Sequence, residues 1–222
     1  MLKLMTKHGK YFYVLFVVII ISFIFWGIGG MRSGKNNQVI ATVDGTNIPI
    51  TQFWRAYQRA EDSVRNTYGD KFDDKMKKAL KMQVLAGLVG DEMLYHAASS
   101  EGITVTNDEL RAVIESEPAF SQGGAFSRRV YLNVLRMNRI TPQQYESSLR
   151  HQLLVDKMRR MIEDPVELSP AELASIPPKL NAQAVTALKG TLLNMKRQRA
   201  LSSFLDGLRS RMKVTENTGL IS

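Results

Sequence analysis

Residues 39–50 read VIATVDGTNIPI, and this stretch decides what kind of domain the chain builds. Val39-Ile40-Ala41-Thr42-Val43 is apolar and β-branched enough for a short strand, and Asp44-Gly45 supplies the residues a tight hairpin turn demands. Thr46–Ile50 then returns as a second short strand. Pro49 confines it to an edge, because proline has no N–H to offer a further neighbour. The only other β-signal lies at the far end, in Val214-Thr215 and Leu220-Ile221. If that end pairs with Val39–Val43, the two termini of the domain close one small sheet.

Everything between is helical. Thr51 is placed to cap a helix in which Phe53, Tyr57, Ala60, Val64 and Tyr68 fall at helical spacing, until Gly69-Asp70 interrupts it. A longer helix follows from about Asp73 to Ser100, with Met76, Leu80, Val84 and Leu88 on one stripe and Gly102 as its stop. Thr106 with Glu109 is a capping box, opening a shorter helix to about Glu115. Pro118–Gly124 reads as a loop and Phe126–Met137 as the next helix. Thr141-Pro142-Gln143-Gln144 and Ser169-Pro170-Ala171-Glu172 both join a cap, a proline at the first helical position and an amide or acid at the third. The first starts a helix ending at Asp164-Pro165, and the second is cut short by Pro177-Pro178. Asn181 opens the last long helix, with Val185, Leu188, Leu192 and Met195 in register. The expected fold is all-α: a mainly helical soluble domain over 39–222 with a small β-element from its two ends.

Upstream, Tyr11–Ile28 contains no charged residue, and Ser22 and Gly27 are its only non-hydrophobic members. A helix crosses a hydrocarbon core of about 30 Å with about 20 mostly apolar residues. Tyr11 and Tyr13 at one end and Trp26 at the other suit the two interfaces. The run exceeds the apolar region of a cleaved signal peptide, about 7–15 residues, although Gly27, Gly29 and Gly30 imitate a cleavage site. Lys3, Lys7 and Lys10 precede it with no acidic residue among them, while Arg32 and Lys35 follow. The expectation is one transmembrane helix over 11–30, a cytoplasmic tail over 1–10, a tether over 31–38 and a translocated domain behind it.

The chain has no cysteine, so thiolate metal sites and cysteine nucleophiles are excluded. Its net charge of +9 raises a nucleic-acid reading. The cations are scattered among acidic residues in amphipathic helices, no DNA- or RNA-binding motif accompanies them, and no nucleic-acid partner is expected. His96 and His151 sit singly within helices, without a partner at metal-ligand spacing. No G-x-S-x-G elbow and no phosphate-binding glycine loop occurs. No catalytic, metal or cofactor site is therefore expected. Eight methionines lie beyond the tether, Met76, Met82, Met93, Met137, Met158, Met161, Met195 and Met212, and methionine adapts well to irregular partners as well as filling cores.

The ordered set of these features resembles the SurA-like periplasmic chaperone domain. VIATVDGTNIPI with Phe53 is similar to that family's opening strand, Asx-Gly turn and return into the first helix. Gln83-Val84-Leu85 with Asp91-Glu92-Met93-Leu94, and Gly102 through Leu110, resemble the next two steps. Pro118-Ala119-Phe120 with Phe126 and Tyr131, then Thr141–Tyr145 with Leu149 and Arg150, complete the likeness, which covers about Lys10 to Met161. The family usually inserts parvulin-type prolyl isomerase domains before the last helix. Here residues 164–181 occupy that place, too few for such a module.

The resemblance implies a single-pass inner-membrane protein with its domain in the periplasm, binding unfolded or newly exported polypeptides without ATP and without isomerase activity. The alternative is a dedicated scaffold for one envelope partner, such as the translocation machinery. Trp54, Phe120, Phe126, Tyr131 and Met137 border helix ends or the 118–124 loop and are the candidate client contacts.

Overall fold

The computed structural model describes residues 38–69, 72–177 and 181–221. The cytoplasmic tail, the anchor with Tyr11, Tyr13 and Trp26, and the tether up to residue 37 lie outside the described residues. Among those described, no helix is long and apolar enough to cross a membrane.

Strand β1 (Val39–Val43) and strand β2 (Thr46–Pro49) form the expected hairpin, antiparallel with Val43 opposite Thr46. Asp44 and Gly45 both take positive φ, 45° and 88°, as a two-residue turn matching the strand twist requires. β5 (Val214–Glu216) pairs antiparallel with Ala41–Val43 on the other side, giving the order β2-β1-β5. Pro49 thus sits on an edge strand, as its missing N–H dictates. The closing strand is Val214–Glu216 alone. Leu220 belongs instead to a 3-10 turn (Thr218–Leu220), and Ile221 tucks into the core beyond it. Asn217 N–H still donates to the Ile40 carbonyl at 2.8 Å, and the chain turns away from β1 at Thr218, before reaching Leu220-Ile221.

Helix α1 (Ile50–Tyr68) begins directly at the end of β2, not at a Thr51 cap. Pro49 is the N-cap and its ring has no acceptor to offer, while the Ile50 N–H donates to the Gln38 carbonyl at 2.8 Å. α2 (Asp74–Ser100) starts at an Asp73 cap. It ends where Gly102, at φ 72°, lets Ile103 N–H reach back to the Ala98 carbonyl. α2 is the axis of the domain: Leu85, Val89, Met93, Leu94, Ala97 and Ala98 are all buried along it. Its environment is built from α1, α5 (Pro142–Glu163), α7 (Ala182–Arg209) and β1, all of which pack against it.

Between α2 and α5 the chain builds a lobe. It contains α3 (Asn107–Ser116), a 3-10 turn (Pro118–Phe120), a two-residue hairpin of β3 (Ser121–Gln122) with β4 (Ala125–Phe126), and α4 (Arg128–Met137). Residues 118–124 are therefore more ordered than a loop. Gly123 and Gly124, at φ 64° and 85°, make the tight turn that pairs Gln122 with Ala125. The short helix α6 (Pro170–Ala174) fills the connector before α7.

Two capping boxes do double service. Glu109 accepts the Thr106 N–H at 2.8 Å and the Lys157 ammonium of α5 at 2.6 Å. Glu172 likewise accepts the Ser169 N–H at 2.7 Å and Lys196 of α7 at 2.6 Å. The lysine, and secondarily the backbone N–H, holds each carboxyl down to about 2. A carboxylate whose folded value is depressed contributes stability above its unfolded value near 4.5, and that contribution disappears as the pH falls toward 2. The thermal midpoint is accordingly expected to drop between pH 4.5 and 2. Glu109→Gln and Glu172→Gln, which keep the cap and lose the ion pair, should flatten that drop; an unchanged pH profile in the double variant would contradict the assignment.

Candidate functional site

The structure separates the five sequence-selected contacts. Phe120 and Tyr131 are buried, and their roles are corrected to core. Phe120 meets Tyr131 and Tyr145 edge-on, with centroids 5.0 and 5.5 Å away, and Phe126 completes the cluster from a half-buried position 6.1 Å from Tyr131. Burial, reinforced by Glu146, pushes the Tyr131 hydroxyl up to about 12, so it stays protonated and donates to Glu146 at 3.3 Å. These rings hold the α3–α4 lobe on α5. Trp54 and Met137 are exposed, at 37% and 75%. Trp54 rests edge-on against Phe53 and Tyr57 and carries the Lys81 ammonium 5.9 Å above its ring, leaving its remaining surface open.

Further apolar surface emerges that residue spacing does not single out. Met161 and Met195 are 60% and 53% exposed, and Met82, Leu132, Ile140 and Leu173 are also open. All but Ile140, which lies in the turn after α4, belong to helices, where spacing alone does not tell an open side chain from a buried one. Two shallow grooves carry part of this surface. One, of about 640 Å³, runs along α4 past Val130 and Leu132 between Arg129 and Arg136. The other, of about 590 Å³, lies at the end of α5, with Ile103, Met161 and Pro165 beside Lys157 and Arg160. The first sets apolar side chains between arginines, whereas the second also carries Asp164, and its Lys157 is paired with Glu109.

A further concavity, of about 840 Å³, is different in kind. It lies between α1 and α5 over α2, with Arg55, Arg59, Asp91, Glu92, His151 and Arg159 on its walls. His96 and His151, far apart in sequence, converge there on the buried Glu92, their Nε2 atoms 3.5 and 3.6 Å from its two oxygens. His96 also meets the Thr46 hydroxyl at 3.0 Å, and His151 stacks on Tyr95 at 4.0 Å. Only the Glu92–His96 half, at i and i+4, is visible in sequence. Arg159 bonds Asp91 at 2.8 Å, while burial pushes the Asp91 carboxyl up against that pull. Ser147 and Ser148 line the same cleft, yet neither bonds His151, and no nucleophile–base pair is assembled. The described residues hold no group of three His, Cys, Asp or Glu placed to bind a metal. The arrangement ties the β-hairpin, α2 and α5 together.

Comparison with known proteins agrees with the geometry. Residues 1–159 match the family described as SurA-like N-terminal domain. Three similar proteins, each named periplasmic chaperone PpiD, come from Escherichia coli K12, Haemophilus influenzae and Buchnera aphidicola. Their identities are 27% over 150 residues, 22% over 161 and 24% over 142, covering 65%, 70% and 61% of this chain. The matched stretch is 24%, 26% and 23% of those relatives, so the chain spans about a quarter of their length. The family match runs over most of the chain and takes in the hairpin, α1–α4 and nearly all of α5, and the chain belongs to the SurA-like N-terminal domain family.

Proposed function

We propose that this protein is a membrane-anchored periplasmic chaperone that shields unfolded or newly exported polypeptides passively, without ATP and without prolyl isomerase activity. The observation that carries the reading is the set of large apolar side chains left open on a family-typical scaffold, Trp54, Leu132, Met137, Met161 and Met195, of which Leu132 and Met161 line shallow grooves. Exposed Met adapts its shape to irregular partners, and Trp offers a large apolar contact. In the α1–α5 cleft, Leu88 and Val155 lie among mainly polar and charged side chains that tie the scaffold together. The anchor read over 11–30 would keep the domain near emerging chains and raise its effective concentration there. Isomerase activity is left out because the described connector contains only the five-residue α6, far short of a parvulin-type module.

The test is a photo-crosslinking amino acid placed at Met137 and at Met161 in cells. Many different exported proteins should be captured at both positions. One dominant product would favour the dedicated scaffold, with the translocation machinery among its candidates.

A further inference from the structure

Helix α4 breaks three local rules on one surface. Its first turn opens Arg128-Arg129 with no acidic residue, although the free N–H groups of a helix start favour negative charge. Just past its C-cap, Arg139 takes φ 56°, a conformation that strains a side chain and usually belongs to glycine. The turn demands that conformation, since Arg139 and Ile140 donate back to the Arg136 and Leu135 carbonyls at 3.0 Å each. Finally, Arg128–Arg139 contains four arginines and no Asp or Glu. All four are exposed, and none pairs with a carboxylate among the described residues. Arg129 and Arg136 bond only the neutral Gln122 and Asn133, at 3.1 and 2.7 Å.

Arg129, Leu132, Asn133 and Arg136 recur at i, i+3, i+4 and i+7, so they share one helix face along the 640 Å³ groove. Leu132, Met137 and Ile140 leave apolar surface open beside the cations. Local rules broken without internal compensation mark functional surfaces.

We infer that this face of α4 docks an acidic polypeptide segment in which two carboxylates flank a large apolar side chain. Arg129 and Arg136 stand two turns apart, about 10 Å along the axis. An extended chain places the side chains of i, i+2 and i+4 on one face over about 13 Å. Two long arginines can thus close on carboxylates at i and i+4 with the apolar side chain at i+2 between them. An extended anionic partner fits less well. The adjoining α3–α4 groove presents Glu115 and Glu146 among its arginines, and these would repel a lipid headgroup layer or a phosphate backbone. The inference rests on the chaperone reading and names the chemistry that one of its surfaces selects.

The test uses the full chain in phosphatidylcholine nanodiscs and three labelled peptides of one sequence, with Glu, Gln or Lys two residues to either side of a phenylalanine. The Glu peptide should bind about tenfold tighter than the Gln peptide at low salt. Raising the salt should erase the difference, and Arg129→Glu with Arg136→Glu should abolish it while the thermal midpoint stays put. Equal binding of Glu and Gln peptides, with aggregation suppression intact, overturns this inference alone. Failure of all three peptides, with no suppression, overturns the chaperone reading as well. Phosphatidylglycerol vesicles or a polynucleotide that bind the wild type and lose binding in the double variant, without a Glu-peptide preference, would also overturn it.

Discussion

Deleting residues 214–222 should lower the thermal midpoint by about 10 °C or more, because the domain is closed by its last strand. The deletion strips β5 from the edge of β1 and removes the Asn217 to Ile40 bond. It also removes the Lys81 ammonium's bond to the Ile221 carbonyl at 2.9 Å and uncovers the Ile221 pocket. Burying an Ile side chain contributes roughly 1.5–3 kcal/mol and each hydrogen bond a net of about 1 kcal/mol. A loss of about 3–6 kcal/mol follows, a large part of the roughly 5–15 kcal/mol that holds an ordinary domain together. Calorimetry on the truncated chain checks this. A midpoint within about 2 °C of the full chain would mean that β5 rests on the sheet without closing it.

Phe120→Ala should be nearly as severe. The ring is 4% exposed and is the hub on which Tyr131 and Tyr145 pack edge-on, so truncation leaves a cavity where three elements meet. Phe-to-Ala changes in cores cost about 3–5 kcal/mol. Met137→Ala, at a side chain 75% exposed, should change stability by no more than about 0.5 kcal/mol while weakening client retention. Urea denaturation of the two variants separates them. A stable Phe120→Ala variant that loses client binding would return Phe120 to the contact surface.

The contrast between these two residues shows what was legible in the chain. Turn and cap chemistry is local: Asp44-Gly45, Thr106 with Glu109, Thr141 with Gln144 and Ser169 with Glu172 need only their own neighbours, and each formed as spaced. The β3–β4 hairpin was signalled by Gly123-Gly124 but had only two residues on either side to carry a strand pattern. Burial was harder to read, since Phe120 and Met137 are both apolar residues near helix ends. Only the packing of α3, α4 and α5 decides that one is core and the other open. The same holds for Glu92, whose two histidines come from helices that sequence leaves unrelated, and for Met161 and Met195, which periodicity places in a stripe that nothing described fully covers.

One measurement bears on the central claim most directly: suppression of aggregation of a denatured outer-membrane protein by the fragment 36–222, with its helical circular dichroism recorded alongside. The account predicts suppression at about one fragment per client, lost when Trp54, Met137 and Met161 are replaced by serine in a variant that keeps its helical signal. A folded fragment that leaves aggregation unchanged would contradict it.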